Sequence, residues 1–337
     1  MIDRIRKEMR ARDIDCLILT EEQNFTWALE KRISGYLFIT QGRMELIAPR
    51  FYRYQTGEIE AEYAFSKKEY SQKLEEKSEK FVGNVKTDTE SSKLEEMFGA
   101  EKTDLVHELR KKKTTEEIEK IRKACEITDE ALKDTRSQLF SGIDEFEAVA
   151  QINTFYAEEG VEEAFLTNGG QSLVQANCLE PHRPPEKRKI QPQDLVIVDS
   201  GCRYENYCSD VTRTYCEDPS EEQRKLFEAV KKIQKEMISM IEPGRPIKEL
   251  KKREIEMTEE LGYDPEKHIL YFSHCIGVEA HEKPTITHET EGELEEGMVL
   301  TVEPGLHVPE IGGVRLEDTV AVTEEGCEVL SEAPREL

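Results

Sequence analysis

A pair of helices followed by a pair of strands, and then the same order again, runs through residues 114–322. Little else narrows the fold as much, because each helix pair in such a repeat needs strands of its own to bury its apolar face. Thr114 and Glu117, three apart, form a capping box that opens a helix carrying Ile118, Ile121, Cys125, Ile127 and Leu132. Gly142 breaks that helix, Asp144 caps a second and Gly160 ends it. Strands are expected at Leu195–Val198 and Val211–Tyr215. Ser220 with Gln223 then opens a helix bearing Leu226, Phe227, Val230, Ile233 and Met237, and another is expected from about Pro246 to Leu261. Strands at Met298–Val302 and Val314–Val322 close the second round. The two rounds share little residue identity, so the expected duplication is one of architecture.

The residues ahead of this repeat read as a small α/β unit. Ile2, Ile5 and Met9 recur at helical spacing, and Cys16–Thr20, Tyr36–Ile39 and Glu45–Ala48 read as short strands. Residues 66–98 are rich in Lys and Glu, with helical tendency and few apolar anchors. The basic run Arg110-Lys111-Lys112-Lys113 is read as a solvated linker, which sets the expected domains at 1–108 and 109–337.

Charge excludes one class of partner. With 72 acidic residues against 47 Lys and Arg, the net charge of −25 repels nucleic-acid phosphates. No stretch reaches the roughly 20 apolar residues that span a bilayer. The N-terminus enters a charged amphipathic pattern without a secretory apolar region, so no membrane partner and a cytoplasmic location are expected. The eight cysteines contain no C-x-x-C and are read as reduced, packed thiols.

In a chain this acidic, paired carboxylates carry meaning only through their setting. Asp199 ends the apolar run Leu195–Val198, and Asp210 stands just before the return strand, across the loop Gly201–Ser209. Glu303 follows Met298–Val302. Glu317 lies in Gly312-Gly313-Val314-Arg315-Leu316-Glu317-Asp318-Thr319-Val320, where alternation puts Arg315, Glu317 and Thr319 on one face. His274 adds an imidazole. A charge at the rim of a buried strand needs a partner, and four carboxylates with one imidazole form a hard-donor set for Mn²⁺, Co²⁺ or Zn²⁺. From the residues alone, each acid taken singly also reads as half of a surface or buried ion pair.

Residues 182–337 resemble the pita-bread metallopeptidases, the group holding aminopeptidase P, prolidase and methionine aminopeptidase. The resemblance rests on Pro181-His182, seventeen residues before Asp199, and on Asp199-Ser200-Gly201 with Ser209-Asp210-Val211-Thr212-Arg213-Thr214. It rests further on Ser273-His274-Cys275-Ile276-Gly277-Val278-Glu279-Ala280-His281-Glu282-Lys283-Pro284, and on Thr301-Val302-Glu303-Pro304-Gly305 with Gly312–Val320. Residues 1–108 are more loosely similar to the creatinase-like α/β domain of prolidases.

The resemblance implies a pita-bread α+β catalytic domain and a dinuclear metallopeptidase cleaving the bond before proline. Asp199 would hold one ion, His274 and Glu303 the other, with Asp210 and Glu317 bridging, around a shared hydroxide. The ions would be manganese or cobalt first, with zinc as the third choice. Glu303 would carry a proton toward the leaving nitrogen, and His281 and His182 would contact the substrate. It also implies a homodimer and a dipeptide or longer peptide with proline second, as in an Xaa-Pro dipeptidase or an Xaa-Pro aminopeptidase. The alternatives are a non-peptidase amide hydrolase of the same fold, or an inactive pita-bread domain used for binding.

Several positions depart from the family pattern. Ser273 and Cys275 replace glycines beside His274, Asn206 replaces a glycine, and His307 stands where tyrosine is common. Cys275 is expected to be packed rather than a sixth ligand, because strand neighbours of His274 point the other way. Asn168–Cys178 is longer than usual, and Trp27-Ala28-Leu29-Glu30 takes the place of a tyrosine-containing turn.

Overall fold

A computed structural model describes residues 1–57, 59–81, 83–165, 172–180, 182–269 and 273–337. Pro181, Asn168 and its following residues to Gln171 therefore lie outside the described residues. The chain divides into two compact units, Met1–Arg110 and Lys111–Leu337.

The first unit is built on a six-stranded mixed sheet in the order Glu60–Ala64, Met44–Pro49, Tyr36–Ile39, Cys16–Leu19, Val85–Thr87, Glu101–Lys102. Cys16–Leu19 lies inside the sheet, antiparallel to Tyr36–Ile39 and parallel to Val85–Thr87, and all four of its residues are buried. On the apolar face of the helix Ile2–Ala11, Ile5 and Met9 are fully buried and Ile2 is half-buried. Residues 66–98 prove more varied than their composition suggests. The helices Lys67–Ser78 and Ser92–Phe98 flank the strand Val85–Thr87, and Leu74, Phe81, Leu94 and Phe98 supply the apolar anchors. Trp27 sits in the helix Glu22–Leu29, with Glu30 as a left-handed cap.

The second unit shows the repeat. Helices Thr115–Gln138 and Glu145–Glu158 each begin with a complete capping box, Thr114 with Glu117 and Asp144 with Glu147. They pack on a three-stranded antiparallel sheet whose middle strand is Val196–Ser200, between Leu173–Ala176 and Val211–Tyr215. Ala131, Leu132, Val149 and Ile152 meet Val174, Val196, Val198 and Val211 in one apolar cluster.

The second round uses helices Glu221–Ser239 and Ile247–Glu260, the first opened by a Ser220/Gln223 capping box. Their strands form a five-stranded sheet ordered Glu282–Thr285, His274–Cys275, Val299–Val302, Asp318–Thr323, Gly326–Val329. Phe227, Val230, Ile233 and Met257 bury against Leu300, Val302, Val320 and Val322. Each helix pair thus covers its own sheet, as the repeated order requires.

Two expectations need correction. The run Val314–Val322 is not one strand but two, Gly312–Arg315 and Asp318–Thr323, with Leu316 and Glu317 between them. The break has a cause: the Leu316 amide donates to Pro304 O and the Glu317 amide to Thr212 O, so the chain leaves one ladder and touches the first sheet before joining the next. The basic run is also not a solvated linker. Arg110 and Lys113 are buried, Arg110 donating to Asn24 Oδ1 at 2.8 Å and Lys113 to Glu282 Oε2 at 3.1 Å. Buried carboxylate and amide acceptors elsewhere in the chain outweigh the preference of these side chains for water.

Candidate metal centre

Asp199 and Asp210 come together because of a tight approach behind them. The segment Gly201–Ser209 folds into a small hairpin, Cys202–Tyr204 against Tyr207–Cys208, rather than an open loop. A Cβ at Gly201 would run into the carbonyl oxygen of Ser209, so only glycine lets the two carboxylate-bearing ends close. Asn206 turns that hairpin at φ 74°, the left-handed conformation that Asn tolerates in place of glycine. Thr212, opposite Asp199 in the register, donates its hydroxyl to Glu317 Oε2 at 2.6 Å.

The second sheet delivers the other donors. Thr301 donates to Glu303 Oε1 at 2.9 Å, and the Ser273 hydroxyl accepts from the Glu303 amide at 3.3 Å. Ser273 thus anchors the chain at Glu303, a use no glycine could serve. His274 Nε2 lies 3.3 Å from Glu303 Oε1 and 3.8 Å from Asp210 Oδ2. Cys275 packs in the apolar cluster of the second helix pair.

Among the described residues, three groups of donor atoms that could hold a metal ion fall within 4.8 Å of one another: Asp199, Asp210 and Glu317; His274, Glu303 and Glu317; and Asp210, His274 and His281. All five of Asp199, Asp210, His274, Glu303 and Glu317 are buried. Asp199 Oδ1 and Glu317 Oε1 are buried oxygens with no hydrogen-bond donor. Burial, then the charges of Glu317, Asp199 and Glu303, pushes the Asp210 carboxyl well above the usual carboxylate range. Glu303 is pushed well above it by burial and then by Glu317, and Glu317 is pushed up to about 8 by burial and then by Asp199. Burial and the neighbouring His281 hold the His274 imidazole neutral, with its pKa lowered to about 3. Crowded carboxylates with vacant lone pairs and a neutral imidazole are the donor set that fits divalent cations.

The histidines around this cluster differ. His281 is exposed and its ring centroid lies 4.3 Å from that of His274. His182 is also exposed, with φ 57°, a backbone conformation costly for a residue with a Cβ. His307 is buried, its Nδ1 lying 2.9 Å from Cys178 O, and burial lowers its pKa to about 4.

Two arginines carry weight that motif reading missed. Arg315 is buried, donates to Asp199 Oδ2, and reaches Thr212 Oγ1 at 3.2 Å. Its place two residues before Glu317, on the face that alternation assigns to both, was the available signal. Arg213 is buried too, donating to Asp318 Oδ1 at 2.7 Å, to Glu317 O at 2.6 Å and to Ala333 O at 2.9 Å. It ties the strand after Asp210 to the segment holding Glu317.

Residues 119–324 match the model of metallopeptidase family M24. The chain is 38% identical over 239 residues to the Xaa-Pro dipeptidase of Pyrococcus furiosus, an alignment covering 69% of this chain and 67% of that protein. Its fold superposes on the prolidase of Pyrococcus horikoshii with a TM-score of 0.87 and 28% identity, covering 100% of this chain and 99% of that one. The X-Pro aminopeptidase of Thermotoga maritima gives a TM-score of 0.86 at 25% identity, covering 98% and 99%. With more than half its length inside the family model and a paired-sheet architecture shared end to end with these structures, the chain belongs to metallopeptidase family M24 and has its pita-bread fold.

Proposed function

We propose that the protein hydrolyses the peptide bond preceding proline, with two divalent cations held by Asp199, Asp210, His274, Glu303 and Glu317. The observation that carries this reading is the charge imbalance of the cluster. Four buried carboxylates, three of them grouped with an imidazole that burial keeps neutral, lie together, and the buried Arg315 is hydrogen-bonded to the fourth, Asp199. Buried charge of that density is relieved either by proton uptake or by further cations, and cations are the remedy that keeps the carboxylates ionised near neutral pH. Manganese and cobalt suit the mainly oxygen donor set, with zinc as a further candidate.

When bound there, the ions would lower the pKa of a water molecule and polarise the scissile carbonyl. The remaining work falls to the chain. Arg315 fixes the Asp199 carboxylate, Thr212 that of Glu317 and Thr301 that of Glu303. Glu303, bonded at Oε1 and adjacent to His274, is placed to accept a proton and pass it to the leaving nitrogen. The exposed His281 and His182 offer imidazoles for hydrogen bonds to the substrate.

Relatives named as Xaa-Pro dipeptidase and X-Pro aminopeptidase support a proline-directed substrate and leave two peptide lengths to separate. Release of alanine is therefore measured from Ala-Pro and from Ala-Pro-Ala, with and without Mn²⁺ or Co²⁺. Metal-dependent release from the dipeptide alone makes the protein a prolidase, and release from the tripeptide an aminopeptidase. A Glu303→Gln variant should lose about a hundredfold or more in kcat. Inactivity on both peptides with metal bound would reject the proline-directed reading.

A homodimer in a reducing cytoplasm completes the proposal. All eight cysteines are free thiols, and no helix among the described residues is long and apolar enough to cross a membrane. In the first unit, Phe51, Tyr54 and Phe65 are exposed around a cavity of about 600 Å³. Its described lining includes Arg50, Arg53 and Lys67 but no carboxylate, in a chain of net charge −25. An acidic second copy complements such an aromatic, cationic surface. Sedimentation should give twice the chain mass of 38.9 kDa, and Phe51→Glu with Phe65→Glu should return it to one. A wild-type protein sedimenting at the single mass would exclude the dimer.

A further inference from the structure

The lysine at the end of the basic run is the least expected buried charge in the second unit. The Lys113 side chain is 1% exposed and its ammonium meets Glu282, itself 3% exposed, at 3.1 Å. The Lys113 backbone is pinned as well, its amide donating to Gly297 O at 2.7 Å. Lys111 and Lys112 both pair with Glu295, two residues before Gly297. The three lysines therefore hold the segment 282–297, which begins one residue after His281.

Glu282 does more than neutralise the lysine. Its Oε1 accepts from the amides of Val278 at 3.0 Å and Glu279 at 3.4 Å. A Cβ on Gly277 would lie 2.7 Å from the same oxygen, so the carboxylate is pressed against the start of the loop. On the other side, Gly277 O accepts from the Cys208 amide at 2.8 Å, and Val278 O accepts from Arg203. The loop Gly277–His281 is thus closed around one carboxylate, whose charge Lys113 balances in a site nearly free of water. His281, the residue before that carboxylate, ends the loop with its ring 4.3 Å from His274.

We infer that Lys113 is a positioning residue: through Glu282 it fixes the loop that presents His281 to the metal cluster. The inference rests on the proposed substrate contact of His281. It assigns no chemistry to Lys113, whose ammonium is sequestered by Glu282. Without it, the carboxylate loses the ammonium 3.1 Å away and the two amides lose a fixed acceptor, since a buried charge that loses its counter-ion draws in water or moves. A displacement of His281 by about an ångström is enough to cost up to about a hundredfold in rate.

The test compares Lys113→Met, Glu282→Gln and His281→Ala, singly and in each pairwise combination, in the metal-loaded full-length protein. Lys113→Met should lower kcat/KM about 10- to 100-fold, with the loss in kcat, while Mn²⁺ affinity by calorimetry stays within about twofold. Combined with His281→Ala it should cause no further loss, because both act on one contact. Adding Glu282→Gln to Lys113→Met should restore part of the activity by removing the charge that the lysine had balanced. If Lys113→Met does not fold, Glu282→Gln carries the same comparison with His281→Ala. Full activity of the lysine variant, a loss that multiplies with that of His281→Ala, or lost metal affinity would each overturn the inference. Full activity of His281→Ala would instead overturn the substrate contact on which it rests. Should the wild type cleave neither peptide, the imidazole proton resonance of His281, assigned by its absence in His281→Ala, decides: it must shift in Lys113→Met, and an unmoved resonance overturns the inference.

Discussion

Glu317→Gln should abolish peptidase activity and yet stabilise the metal-free protein. The substitution removes a carboxylate that burial and the neighbouring Asp199 push up to about 8, while keeping its shape and its hydrogen bond from Thr212. The sign follows from linkage. A carboxyl whose folded pKa lies above its unfolded value takes up protons on folding. Its favourable contribution is complete below the usual carboxylate range and is lost as pH rises through about 8. Metal-free wild type should thus lose stability between about pH 5 and 8, and the glutamine variant should lose less, by on the order of 2–3 kcal/mol at pH 8. Divalent cations should reverse the ranking, since ions bound at the folded cluster would stabilise the wild type and the variant much less. Activity should fall about a hundredfold or more with the ligand set broken. Urea midpoints at pH 5 and 8, with and without Mn²⁺, check this. A variant no more stable than wild type without metal would mean that the carboxylates are not in electrostatic conflict.

Arg213→Met should be the most destabilising single change in the second unit, by about 3–5 kcal/mol. Both partners of the Arg213–Asp318 pair are fully buried. Burial alone would raise the Asp318 carboxyl, but Arg213, Arg335 and Ser331 outweigh it and hold it below the usual range. Removing the guanidinium also orphans the carbonyl oxygens of Glu317 and Ala333. Asp318 keeps Arg335 and Gln234, so Asp318→Asn added to Arg213→Met should recover part of the loss. Urea unfolding of the metal-free forms reads the effect without contributions from the cations. A shift below about 1 kcal/mol would show that the pair is dispensable to the fold.

How much was legible beforehand depended on the range of the interaction. Capping boxes at Thr114, Asp144 and Ser220 involve residues three apart, and they set helix starts wherever the chain is placed. Apolar runs such as Leu195–Val198 likewise announce a buried strand locally. The strand break at Leu316–Glu317 was hidden, because it is imposed by Thr212 and Pro304 and by no residue nearby. The five residues proposed as ligands were readable as a motif, whereas Arg213 and Arg315, which stand in the same segments, showed nothing there of the carboxylates they hold.

The sequence by itself determined the repeat of helix pair and strands, the turn that tolerates Asn206, and the order of the candidate donors. Only the tertiary structure decided which charges are buried and what balances them. Arg213 and Asp318 lie 105 residues apart, Arg315 and Asp199 116 apart, and Lys113 and Glu282 169 apart. Helical periodicity and capping act over a turn of chain, so they are written in neighbouring residues. The fate of an ionised side chain depends on desolvation and on the charges brought within a few ångströms, and packing of the two sheets sets both.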